Sequence, residues 1–375
     1  MKVTFPHLGY AYVAIEALLE GLGHEPVTPP LGTKSTLECG IRHSPEEACL
    51  PFKTILGNML EGIECGADSV FMIGGWGPCR LGYYGEIQRI ILLDAGKEVE
   101  FVTLEVPEGS LSRRLVLARK ILGPTCATQF VRGCRLSWAK MKVIDGLENL
   151  SLRVRPLEKR HGATSRLLAQ QVQRLREAQS MRNIRTIQEQ ASQGLRDLAG
   201  SGPGTGRPGS EPLRIGIVGE IYTVVEPSVN LRLEERLGYL GVEVVRTISL
   251  PRWIEDHIFK NALGLYTRRT LKRSAAGYLS GFIGGHGLES IARSVDLATG
   301  DVDGIIHIFP LSCMPEVIAQ GILPQISQDK KVPIMSLVVD EHTGETGFQT
   351  RLEAFVDLLQ RRVAYAVRPR GISRD

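Results

Sequence analysis

The sequence is short of several features, and each shortage removes a class of protein. It contains no stretch approaching the ~20 uncharged apolar residues that cross a bilayer, so a polytopic membrane protein is excluded. Its first residues, Met1 to His7, lack the apolar core of a secretory signal and read as a first β-strand. A large charge excess is missing too. The 45 Lys+Arg less the 41 Asp+Glu leave +4 over 375 residues, too little for a histone-like or otherwise highly basic nucleic-acid binder. A disulfide framework is also absent. The seven cysteines, at 39, 49, 65, 79, 126, 134 and 313, are odd in number and widely spaced. The expectation is a cytoplasmic chain whose cysteines are thiols, metal ligands or nucleophiles. No Gly-rich loop ends in Gly-Lys-Ser/Thr, and Gly74-Gly75-Trp76-Gly77 lacks dinucleotide-fingerprint spacing, so direct ATP hydrolysis by this chain is not expected.

What is present is an ordinary globular composition, with 43% hydrophobic and 23% charged residues. At about 150 residues per domain, the length implies two or three domains. Residues 1–150 alternate helical and strand patterns. Val13 to Leu22, Pro51 to Ile63 and Glu86 to Ala95 read as helices, while Ser69 to Ile73 and Glu98 to Leu104 read as strands. That alternation implies a parallel sheet with crossover helices. Residues 151–200 are rich in Arg and Gln and read as one or two long helices, followed by a Gly/Pro/Ser linker from Gly200 to Ser210. From 213 to 375 the α/β rhythm resumes, with strands at Arg214–Gly219, Val242–Ile248, Gly304–Phe309 and Val332–Val338. Helices are expected over Asn230–Leu240 and Phe348–Val363. The fold expected is therefore α/β, with two Rossmann-like parallel-sheet domains (1–150 and 213–375) around a basic helical insert and linker (151–212). In such sheets ligands gather at the carboxyl ends of strands.

Three cysteines fall in loops of that kind. Cys49 precedes a helix in Ser44-Pro45-Glu46-Glu47-Ala48-Cys49-Leu50-Pro51. Cys79 follows a buried strand in Gly77-Pro78-Cys79-Arg80, and Cys313 does so in Leu311-Ser312-Cys313-Met314-Pro315. A helix N-terminus favours the thiolate, the form that binds metals and attacks electrophiles. Each one alone reads equally as a small apolar residue filling a tight turn. Together, each within two residues of a proline, they suggest one shared site. Their spacing matches neither a ferredoxin run nor a zinc finger. Three soft thiolates suit a [4Fe–4S] cluster with one iron open, or zinc. Cys126 and Cys134, about 12 Å apart along a helix, read as structural. Cys39 and Cys65, beside glycines, read as core packing. Gly284-Gly285-His286-Gly287 is a tight turn or an anion cradle before a helix containing Glu289. Asp340-Glu341-His342 is placed for acid–base work, or, with Glu345, Arg351 and Glu353, for a solvated ion-pair network.

The runs Ser44–Lys53, Gly77-Pro78-Cys79-Arg80-Leu81-Gly82-Tyr83-Tyr84, Cys313-Met314-Pro315-Glu316, Asp340-Glu341-His342-Thr343-Gly344-Glu345 and Thr350–Phe355 resemble the 2-hydroxyacyl-CoA dehydratase / benzoyl-CoA reductase superfamily. The similarity is to its short branch of CoA protein activases, also described as acyl-CoA dehydratase activase-related proteins. It spans residues 1–150 and 213–365 and leaves out the insert. It implies two Rossmann-like domains with an iron–sulfur cluster between them, reduced by an ATP-hydrolysing activator for radical dehydration of a 2-hydroxyacyl-CoA. Carried over by position, Cys49, Cys79 and Cys313 are the expected thiolate ligands. Pro45, Pro78 and Arg80 would shape the loops, and Arg80 would raise the cluster potential. Relatives often read Cys-Gly-Pro-Cys-Arg where this chain has Trp76-Gly77-Pro78-Cys79-Arg80, which removes one thiolate and disfavours a double-cubane cluster.

The charge is unevenly placed. Residues 151–212 hold 11 Lys+Arg and 5 Asp+Glu, a local +6, so the remainder is 34 − 36 = −2. A rival reading follows, in which the chain is a non-catalytic α/β binding or regulatory subunit with structural thiols or zinc, docking a partner through its basic helices. Expected partners under the first reading are an ATP-dependent activator or a homologous subunit, and an acyl-CoA or other small molecule, in an oligomer without membrane.

Overall fold

The computed structural model describes residues 1–74, 81–105, 125–199, 212–256, 269–281, 283–300 and 302–367. The two parallel α/β halves expected from the sequence are present. The first contains β1 (Lys2–Thr4), α1 (Tyr12–Gly21), β2 (Glu25–Pro26), α2 (Lys34–His43), α3 (Leu50–Glu64), β3 (Ser69–Gly74), α4 (Leu81–Asp94) and β4 (Glu100–Glu105). Its four strands are all parallel, in the order β2-β1-β3-β4. The second holds β5 (Leu213–Gly219), α8 (Ile221–Val225), α9 (Leu233–Tyr239), β6 (Val242–Arg246), α10 (Leu250–Ile254), α11 (Arg269–Ala275), α12 (Gly287–Ala298), β7 (Gly304–Pro310), α13 (Met314–Lys330), β8 (Ile334–Val339) and α14 (Glu345–Val367). Its parallel order, β6-β5-β7-β8, repeats that of the first. Strand order reverses between β1 and β3 and again between β5 and β7, and a crevice for ligands opens at such switch points.

The strands form where β-branched runs can be buried on both faces. All seven residues of β7 are buried, including His307, as parallel strands covered by helices on both sides require. One apolar core joins the halves, from Phe52, Leu56, Met59 and Val70 to Ile215, Ile217, Ile306 and Leu352.

Between the halves lie α5 (Ala127–Val154), a 3-10 turn (Arg155–Leu157), α6 (Ala163–Glu177) and α7 (Met181–Leu198). Helix α5 runs unbroken past residue 150, where composition places a boundary. The insert is built into the core rather than projecting as an arm. Leu168, Val172, Leu175, Ile184, Ile187 and Leu195 pack with Val13 of α1 and with Leu136, Ile144 and Leu147 of α5. Helices α1 and α5 cross backbone to backbone at Gly21 and Gly133, where a Cβ on Gly21 would lie 2.4 Å from the Gly133 Cα. The linker from Gly200 to Ser210 lies outside the described residues.

Two helix starts in the second half differ from the periodicity for local reasons. Helix α9 starts at Leu233 instead of Asn230. The Asn230 amide donates to the carbonyls of Thr223 and Val224, and its Oδ1 accepts from the Leu233 N–H. Helix α14 starts at Glu345 instead of Phe348, since the Asp340–Thr343 turn delivers the chain into helix earlier. No helix among the described residues is long and apolar enough to cross a membrane.

Candidate functional site

Cys49 is the N-cap residue of α3, with extended backbone and Pro51 in the first helical turn. It is half-buried against the core shared by the two halves. Its Sγ lies 2.7 Å from the hydroxyl of Tyr84 on α4. Tyr84 is held in turn by an edge-to-face contact with Phe52, with ring centroids 4.8 Å apart. Helix α2 clamps α3 from the other side through two glycines. A Cβ on Gly40 would stand 1.8 Å from the Lys53 carbonyl oxygen, and one on Gly57 would stand 2.0 Å from the Thr36 carbonyl oxygen.

One turn beyond Cys49, Lys53 is a buried cation whose side chain is 3% exposed. Its ammonium donates to the Glu46 carbonyl, in the loop that leads to Cys49, at 3.0 Å. It also pairs with the Glu341 carboxylate of the opposite half. Burial pushes the Glu341 carboxyl up, but the Lys53 hydrogen bond and charge, a backbone N–H and His342 outweigh it and hold the group below its ordinary value. An unpaired ammonium buried to this depth would carry a heavy desolvation cost, so Glu341 is a structural requirement of the Cys49 segment.

Cys313 is the N-cap residue of α13, again with a proline in the first turn. The reversal that brings it there uses Ser312 in a left-handed conformation at φ 69°, which costs a non-glycine residue roughly 1 kcal/mol or more. The loop is tied to the sheet, because the Leu311 N–H donates to the Val339 carbonyl at 2.8 Å and the Cys313 N–H to Pro310 at 3.1 Å. Glu341 lies two residues past that Val339. A continuous path of bonded segments thus runs from Cys49 through Lys53 and Glu341 to the loop of Cys313, along one junction of the two halves. Both thiols stand at the positive ends of long helices, which stabilises thiolate.

Beneath Cys313 lies a pair that sequence reasoning passes over. His307 Nε2 is 2.7 Å from Glu316 Oε2, and both side chains are fully buried. The other Glu316 oxygen has no hydrogen-bond partner. His307 carried no pattern signal, sitting in an Ile-Ile-His-Ile strand, while Glu316 closes the Cys313–Glu316 run that carries the resemblance, yet spacing gives it no role. Tyr84 and Lys53 lie inside the runs that carry the resemblance, yet spacing alone gave neither a role.

The remaining candidates resolve locally. The Asp340 carboxylate accepts from the His342 N–H and the Thr343 hydroxyl within its own turn. His342 is exposed. Glu345 pairs with Arg236 at 2.7 Å, and Glu353 accepts from Gln349 at 2.8 Å. Gly284 and Gly285 turn with positive φ. A Cβ on Gly287 would stand 2.5 Å from the Pro315 carbonyl oxygen, so that glycine lets α12 pack against the start of α13. Cys126 caps α5 in an exposed position. Its thiol lies below the ordinary value, first through a hydrogen bond with Thr128 and then through backbone amides. Burial raises Cys134 and, together with Glu64 and Glu61, Cys39.

Cys79, Arg80, Pro78 and Trp76 lie outside the described residues. Among the described residues no group of three His, Cys, Asp or Glu side chains is placed to hold a metal ion. The donor chemistry of Cys49 and Cys313, two soft ligands at helix N-termini with a phenol on one sulfur, fits an iron–sulfur cluster or zinc, given a third ligand. No family model matches the chain, and no curated protein matches it in sequence.

Proposed function

We propose that this chain is an iron–sulfur protein of the 2-hydroxyacyl-CoA dehydratase type, with a [4Fe–4S] cluster held by Cys49, Cys79 and Cys313 between its two α/β halves. The observation that carries the reading is the shared junction. Two thiol loops from opposite halves open helices there, and the buried Lys53–Glu341 pair joins their supports. When bound, such a cluster supplies low-potential one-electron transfer. Around it the chain's own residues would hold and tune the ligands. With Cys49 as a thiolate the Tyr84 hydroxyl would donate to its sulfur, the helix N-termini of α3 and α13 would favour both thiolates, and the Lys53–Glu341 ion pair would lie one turn away. Arg80 would add a second positive charge beside Cys79. The reading implies a reducing, cytoplasmic setting. It further implies an ATP-hydrolysing activator or a homologous subunit as electron partner, and an acyl-CoA or other small molecule as substrate.

Anaerobic reconstitution tests it. The protein should retain about four iron and four acid-labile sulfide per chain with a charge-transfer absorption that dithionite bleaches. Cys49→Ala, Cys79→Ala and Cys313→Ala should each abolish it while the fold survives. A protein that retains no iron, or retains zinc alone, would sink the proposal.

A further inference from the structure

A cavity of about 310 Å³, with no cysteine in its lining, opens between the loop after β1, the insert helices and the segment that follows β5. That volume is at the low end of the ~300–1,000 Å³ range of small-molecule sites. Its lining is strongly charged, and most of the charge is neutralised internally. Arg246 grips Glu234 with two hydrogen bonds of 2.6 Å and reaches Glu148 at 3.1 Å. The Glu226 carboxylate accepts from the Gly9 N–H and from the Ser228 N–H and hydroxyl.

Two lining residues are incompletely matched. Arg155 is 7% exposed, its Nε has no hydrogen-bond partner, and an Nη2 donates to Ser151 only at 3.4 Å. Glu235 accepts from the Tyr239 hydroxyl at 2.6 Å, and the cation nearest it is Arg232, at 3.9 Å and 73% exposed. Burial raises the Glu235 carboxyl, but the Tyr239 hydrogen bond and the charges of Arg155 and Arg232 help to outweigh that and hold it below its ordinary value. Arg155 and Glu235 therefore feel each other's field without meeting. A guanidinium this deeply buried is costly while its Nε donor goes unused. Closing the gap takes a ligand with an anion at one end and a cation at the other. A simple anion would satisfy Arg155 but would stand against the ionised Glu235.

We propose that this cavity binds a small α-amino acid, its carboxylate on Arg155 and its ammonium on Glu235. The site lies apart from the cysteines and does not require a cluster, so it stands or falls independently of the reading above.

Calorimetric titration and thermal-shift measurements on the full-length chain test it, with the twenty amino acids as separate probes and with propionate and ethylamine as half-ligands. At least one amino acid should bind and raise the melting temperature, with both half-ligands at least tenfold weaker. Arg155→Lys and Glu235→Gln should each weaken binding tenfold or more. Glu235→Gln retains a carbonyl acceptor for Tyr239 at a partly exposed position, so it serves if Arg155→Lys fails to fold. The proposal is overturned if no amino acid binds at ~10 mM, if propionate binds as well as the amino acid, or if Glu235→Gln leaves the affinity unchanged.

Discussion

Lys53 and Glu341 are separated by 288 positions in the chain and form a direct ion pair across the junction of the two α/β halves. The partners are unequally exposed, with side chains 3% and 20% accessible. That asymmetry makes their removal unequal. Glu341→Gln strands an ammonium in the core and should cost about 3–5 kcal/mol. Lys53→Met removes the buried charge itself and leaves a carboxylate that water can reach, so the loss should be smaller, about 1–2 kcal/mol. Urea denaturation of both variants decides this, and an equal or reversed order would show that the pair does not govern the junction.

The same pair predicts an acid dependence. The folded state holds the Glu341 carboxyl below its ordinary value, so folding favours its ionised form. Its contribution is present above the unfolded carboxylate pKa and is lost as pH falls through the lower folded value. The stability gap between the native chain and Glu341→Gln should therefore be constant near neutrality and narrow as the medium is acidified below about pH 4. A gap that widens on acidification would contradict the assignment.

The Tyr84 hydroxyl, 2.7 Å from the Cys49 sulfur, should tune whatever the thiolate binds. Hydrogen bonds to ligand sulfur stabilise the reduced cluster. Tyr84→Phe in reconstituted protein should therefore retain the iron and shift the midpoint potential downward in a spectroelectrochemical titration. An unmoved potential would mean that this bond serves the fold alone.

Helices α2 and α3 touch through backbone at Gly40 and Gly57, which leaves no room for a methyl group. Gly40→Ala should destabilise the chain by roughly 1–3 kcal/mol through overpacking. Because the displaced carbonyl belongs to Lys53, the same substitution should also loosen the Cys49 loop, seen as faster thiol labelling by a maleimide. Stability loss without faster labelling would show that the clamp does not reach the cysteine.

The insert helices should behave as core. Ile184→Ala or Leu195→Ala, both side chains about 1% exposed, should cost about 2–5 kcal/mol. Arg182→Glu and Arg185→Glu on the exposed face should change stability by less than about 0.5 kcal/mol. Thermal melts separate the two groups. Deleting residues 160–200 would thus unfold the protein, so a docking role for this segment has to be tested with the outer arginines.

The local patterns in the chain carried much of this architecture. Period-two and buried runs such as Ser69–Ile73 and Gly304–Phe309 place the strands, because a side chain's alternation across a sheet depends only on its neighbours in sequence. The prolines after Cys49 and Cys313 mark where helices start for the same local reason. The sequence by itself thus determined an alternating α/β chain with thiols at helix starts. Tertiary structure alone decided that Lys53 meets Glu341, that Tyr84 reaches Cys49, that His307 pairs with Glu316 under the third cysteine loop, and that Arg155 and Glu235 line one cavity. It also decided that the basic segment is core: its arginine content is a local fact, whereas the partners of Ile184 and Leu195 lie on helices far away in the chain. Such pairings depend on how two sheets and a helical layer pack together, and spacing along the chain carries no record of that.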